Sequence, residues 1–167
     1  MLSFLIRLHR YLYEIGDYDT SLQLVYAASA ACDDKDSSRY ANLQNTSGAC
    51  YFDLNRLQDC RRDWVIALSI QERRFGHDVV KVGYMMRNMG NLETGCGRYD
   101  EAMELFTRAV SIHLALGDSA AAQLALTYLS IGRLYCVQGL YDEAMKTLAS
   151  SEALFVRTFG AETHFMA

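Results

Sequence analysis

The chain has 167 residues, 51% of them apolar and 22% charged, with a formal net charge of −4. That balance excludes wholesale disorder, which goes with few apolar residues and a high net charge. It also lacks the basic excess of a nucleic-acid-binding surface. The length fits one domain, and no stretch approaches the ~20 apolar residues of a membrane-spanning helix.

In chain order, residues 1–15 are apolar but broken by Arg7, His9, Arg10 and Glu14. They read as an amphipathic first helix rather than a secretion signal, with Leu2, Leu5, Leu8 and Leu12 facing inward. Gly16 marks a turn, and the helix after it places Val25 and Ala28 on its packed face. The polar run from Cys32 to Arg39 reads as a linker, with Ser37 or Ser38 capping the next helix. It lacks the glycine and the closing glutamate of a calcium-binding loop. The next pair of helices meets at Asn55 and stops at Phe75-Gly76. Another pair meets at Gly97 and stops at Leu116-Gly117, and a last pair meets at Gly139 and stops at Phe159-Gly160. The predicted units are therefore 1–36, 40–76, 79–117 and 121–160, with 161–167 reading as the start of a further one. The terminal pairs carry no polar cap, which predicts either a fragment of a longer repeat protein or self-association end to end.

These units repeat in register. Gly97-Arg98-Tyr99-Asp100-Glu101-Ala102 and Gly139-Leu140-Tyr141-Asp142-Glu143-Ala144 lie 42 residues apart and agree at five of six places. Asn55 to Cys60 and Gly16 to Ser21 are weaker copies of the same signal. Gly48, Gly90 and Gly132 recur at the same interval, with His9 at the corresponding place in the first unit. A bulky apolar residue follows each turn (Val25, Trp64, Phe106, Leu148), and three residues later comes a small one (Ala28, Ala67, Ala109, Ser151). A fixed period of this size marks stacked helical hairpins, in which small residues let neighbouring helices approach closely. The predicted fold is all-α. The acidic pairs Asp100-Glu101 and Asp142-Glu143 fall in a helix first turn, where the helix dipole favours them.

The helix-A glycine, the turn glycine and the aromatic and alanine positions of helix B together resemble the tetratricopeptide repeat (TPR). Gly90, Gly97, Tyr99, Ala102, Phe106 and Ala109 fit every position of that pattern. The long unit is similar to repeats of kinesin light chains and to the TPR tails of fungal and bacterial signalling ATPases of the NB-ARC or NACHT type. HEAT and armadillo arrays share a period near 40 but lack the glycine–tyrosine–alanine turn. The resemblance implies a right-handed α-solenoid of about four hairpins. It also implies a non-enzymatic scaffold that binds a peptide or partner domain in a concave groove lined by helix A of each unit. The alternative is a sensor segment of a larger nucleotide-binding signalling protein.

The groove residues expected on that basis are Arg10, Tyr13, Asn42, Asn45, Phe52, Tyr84, Arg87, Asn88, Asn91 and Arg133, with Leu129 beside the last. The asparagines could bond the main chain of an extended peptide, and the arginines could fork onto a carboxylate. Arg87, Asn88 and Asn91 resemble part of the polar clamp by which some TPR domains hold an acidic peptide end. No catalytic, cofactor or metal residues are expected. His9, His77, His113 and His164 form no i, i+3 or i, i+4 pair, and His113 reads as an exposed or half-buried residue on a helix-B flank. No nucleophile elbow or phosphate loop is present. The glycine-rich run Gly90 to Gly97 lacks a closing Gly-Lys-Ser/Thr and already has packing reasons for its glycines. Arg61-Arg62 and Arg73-Arg74 read as solvated surface. Five cysteines without a CxxC pair point to reduced thiols and a cytoplasmic location, and the expected partners are protein, neither nucleic acid nor membrane.

Overall fold

The computed structural model describes residues 8–9, 11–76 and 79–160, and it has no strand among them. The expectations for Arg10, His77, His164, Leu2, Leu5 and residues 161–167 lie outside the described residues. The chain divides into two compact units, Met1–Gly76 and His77–Ala167.

In the first unit, helical residues 8–9 and 11–14 precede α1 (Tyr18–Ala30), α2 (Ser38–Asp53) and α3 (Leu57–Phe75). α2 packs against both α1 and α3. In the second unit, α4 (Val80–Gly95) and α5 (Tyr99–Ala115) form one hairpin. A single 3-10 turn, Gly117–Ala120, leads to a second hairpin of α6 (Ala121–Gln138) and α7 (Tyr141–Phe159). α6 also touches α4 and α5, so the two hairpins of this unit stack.

Every A-to-B turn is built the same way. Arg98 N–H donates to the Glu93 carbonyl and Gly97 N–H to that of Thr94. The equivalent pairs are Asp17 to Leu12 with Gly16 to Tyr13, Arg56 to Tyr51 with Asn55 to Phe52, and Leu140 to Tyr135 with Gly139 to Cys136. This is the paired closure of a Schellman motif, which needs one residue in left-handed backbone. Gly97 supplies it at φ +75°, and Asn55 supplies it at φ +56° where the second hairpin has no glycine. Asparagine is among the few side chains that tolerate this region.

The helix-A glycines are buried, and each faces the bulky residue of its own helix B. A Cβ on Gly90 would stand 2.5 Å from the Phe106 ring, and one on Gly132 2.7 Å from Leu148. A Cβ on Gly48 would overlap the Trp64 indole. The close approach predicted from small residues is thus made inside each hairpin, between a bare helix-A backbone and a large helix-B side chain. Trp64 is further fixed by its Nε1–H, which donates to the Asn45 carbonyl at 3.0 Å, and by the Phe52 ring stacked on it.

Between hairpins the contact is apolar. In the first unit Val25 and Ala28 of α1 meet Leu43 of α2. In the second, Ala102 and Phe106 of α5 join Ile131 and Leu134 of α6, with Tyr99, Met103, Val110, Tyr128 and Tyr135 packed around them. Cys60 is fully buried at its small-residue position, and all five cysteines are free thiols. At the linker, Ser37 caps α2, its Oγ accepting from the Tyr40 N–H at 3.1 Å.

Candidate functional site

The helix-A residues expected to face a ligand divide into those committed to internal packing and those left open. In the first unit, Tyr13 Oη–H donates to the Asp53 carboxylate at 2.7 Å. Burial, then that bond and the nearby charge, push the Tyr13 hydroxyl well above its usual range, so it stays protonated and tied down. Phe52 lies against Trp64, and Asn45 lends its carbonyl to the same indole. Asn42 is exposed and borders a shallow cleft of about 270 Å³ lined also by His9, Arg39, Leu43 and Thr46. Arg39 and Thr46 were not among the expected residues. Their spacing with Asn42, three and four residues on α2, is the polar stripe that would have shown them.

In the second unit, α4 carries Tyr84, Arg87 and Asn91, all half-buried, and α6 carries Arg133 and Leu129, both exposed. Asn88 is buried rather than open to a ligand, and its side-chain oxygen lies at 3.5 Å from Arg87 Nη2, a long hydrogen bond. The Arg87 guanidinium sits 4.9 Å from the Tyr84 ring centroid, a cation–π distance. Its Nε is buried without a hydrogen-bond partner, and no carboxylate among the described residues pairs with it. Burial therefore depresses the Arg87 pKa below its usual value, although the group stays charged at any ordinary pH.

His113 departs from the sequence expectation. It is fully buried on α5. Its Nε2 edge faces Gly83 of α4, where a Cβ would come within 2.5 Å of it. Nδ1 lies 3.3 Å from Thr127 Oγ1 of α6, and that hydroxyl donates to the Gln123 carbonyl at 2.8 Å. The direction of the His113–Thr127 bond follows the imidazole tautomer, and Nε2, buried against Gly83, makes no hydrogen bond among the described residues. Burial first, and then the Arg87 charge, lower the His113 pKa, while the Val80 carbonyl acts weakly the other way. A neutral imidazole thus ties α4, α5 and α6 together. The signal for it was Gly83, a second buried glycine on α4 that the repeat pattern does not require.

The basic pairs are surface features. Arg62 bonds Asp59 and Asp63, Arg73 bonds Asp36, and Arg74 donates to the Asp36 carbonyl. Among the described residues no group of three His, Cys, Asp or Glu could hold a metal, and no helix is long and apolar enough to cross a membrane.

The sequence profile of the tetratricopeptide repeat matches residues 39–115 and, in a second overlapping register, 81–155. The chain belongs to the tetratricopeptide repeat family. Among solved structures it is similar to BtubC (BKLC) from P. vanneervenii, with a TM-score of 0.81 at 20% identity over 95% of this chain and 65% of that one. It is also similar to aspartyl phosphate phosphatase F from Bacillus subtilis, with a TM-score of 0.78 at 16% identity over 96% of this chain. The nearly identical TPR-like kinesin light chain repeats from Podosopora anserina superpose with a TM-score of 0.65 at 14% identity, covering 95% of this chain and 96% of that one. This TPR chain spans 65% of BtubC and 41% of the phosphatase. No curated protein matches it in sequence. At these identities the likeness is one of fold: the all-α architecture of TPR solenoids. The repeat positions account for Gly48, Gly90, Gly132 and the four turns, and do not account for Arg87, His113 or the α2 stripe.

Proposed function

We propose that this TPR chain is a non-enzymatic scaffold that binds an extended, acidic segment of a protein partner along helix A of its second unit. The observation that carries this reading is Arg87. Its guanidinium is half-buried, braced by Tyr84 and Asn88, and without a carboxylate partner among the described residues. An incoming carboxylate would supply the charge-assisted bonds that this cation lacks. Asn91, one turn further along α4, and the exposed Arg133 on α6 extend the polar surface beside it. Asn88 has a supporting role, since it is buried. In the first unit, taken by itself, Asn42, Arg39 and Thr46 form a separate polar surface, while Tyr13 and Phe52 are held by internal contacts.

Peptide selection against the immobilised chain, followed by titration calorimetry with a selected peptide, tests this. Selected sequences are expected to carry Asp, Glu or a free C-terminus. Arg87→Ala combined with Asn91→Ala should weaken binding by about tenfold or more while circular dichroism is unchanged. Selection of sequences without acidic groups, or full binding by the double variant, would overturn the reading.

A further inference from the structure

The repeat register allows each face of one hairpin to be compared with its counterparts. Two residues after the turn, helix B carries Tyr18, Tyr99 and Tyr141, and six after it Leu22, Met103 and Met145. On α1, which packs against α2, Tyr18 is half-buried and Leu22 buried. On α5, Tyr99 and Met103 are packed against the cluster shared with α6. On α7 the same positions are bare: Tyr141 is 68% exposed and Met145 70%, with Leu140 beside them at 44%. α7 therefore repeats, in register, the surface on which α5 seats the helix A that follows it.

The helix-A side of that contact is also readable. Its inserted residue stands two after the helix-A glycine. Leu134, two after Gly132, enters the cluster with Ala102 and Phe106 of α5. Cys50, two after Gly48, reaches Ser21 of α1, with Sγ 3.6 Å from the serine hydroxyl. His9 holds the glycine position in the first unit, so the corresponding residue is Tyr11. It is 58% exposed, and Ile15, one helical turn on, is 57% exposed. Among the described residues both halves of the hairpin-to-hairpin contact are thus exposed, each without its counterpart.

We propose that α7 of one copy seats the segment 11–15 of a second copy, Tyr141 and Met145 packing against Tyr11 and Ile15. The two surfaces differ, so the contact is heterologous and adds copies head to tail, in rings or open rows, rather than closing a two-fold dimer.

Sedimentation velocity of the full 167-residue chain over a wide concentration range reads this directly. The mean mass is expected to rise with concentration beyond that of a dimer. Tyr11→Lys and Met145→Lys each alter an exposed residue, so circular dichroism should be unchanged. Each should raise the concentration needed for association by about tenfold or more. Mixed in equal amounts, the two variants retain one good seat and one good insert between them, and should form a dimer and stop. If either variant folds poorly, Tyr11→Ser and Met145→Gln give the same comparison. A chain that stays monomeric would overturn the proposal in favour of a foreign helix on α7. So would a wild-type mass that stops at two copies, a Tyr11→Lys variant that associates like the wild type, or a variant mixture that stays monomeric.

Discussion

At the scale of single residues, two kinds of position govern this chain: backbones left bare for a ring, and a buried imidazole. A methyl group at Gly48 would meet an indole that its own hydrogen bond and a stacked phenyl ring hold in place. At Gly90 it would meet the fully buried Phe106, and at Gly132 it would meet Leu148, a flexible side chain on α7, whose outer face is open. Alanine gains up to about 1 kcal/mol in helix propensity over glycine, whereas overpacking costs about 1–3 kcal/mol. Gly48→Ala and Gly90→Ala should therefore lower stability by about 1–2 kcal/mol in urea unfolding, and Gly132→Ala should change it little. Trp64, the single tryptophan, makes the first of these readable by fluorescence. Equal losses at all three sites would contradict the argument. For His113, the folded-state pKa lies below its ordinary value. The unfolded chain then takes up the proton first as pH falls, so stability is held above about pH 6.5 and declines below it. His113→Gln should flatten that part of the dependence of melting temperature on pH between neutral and mildly acidic conditions. The glycines were legible in the sequence because they recur at a fixed interval. His113 was not, because its burial depends on Gly83 and Thr127, which come from two other helices.

At the scale of elements, the turns and the last helix are the informative parts. The left-handed turn residue decides where each hairpin folds back, and Asn55 holds that place without being glycine. Asn55→Gly should be tolerated to within a few tenths of a kcal/mol, while Asn55→Val, β-branched at positive φ, should cost about 1–2 kcal/mol. Chemical denaturation of the two variants checks this, and equal stabilities would count against the turn's role. α5 is packed on both α4 and α6. α7 meets α6 and buries only Ala144 and Ser151. Amide hydrogen exchange should thus be faster across α7 than across α5, and uniform protection of the two would contradict that. The turns at Gly16, Asn55, Gly97 and Gly139 were legible from the sequence because turn chemistry is local. The candidate groove was legible only in part. Helical periodicity placed Tyr13, Phe52 and Asn88 on helix A, but it could not show that their side chains are spent on internal partners.

At the scale of the whole molecule, stability in a repeat array is a sum of unit terms and neighbour terms. A copy seated on α7 would add one more neighbour term. The apparent melting temperature should then rise with protein concentration in the wild type and not in Met145→Lys. The sequence by itself determined the helical hairpins, their register and the family, since period, turn residues and small positions are properties of the chain read along its length. Only the tertiary structure decided which polar residues remain open, because that depends on what each side chain meets across a neighbouring helix. It left Arg87 without a carboxylate among the described residues, buried His113 as a neutral tie, and left open on α7 the face that on α5 is covered by α6, and none of these is written in any one segment.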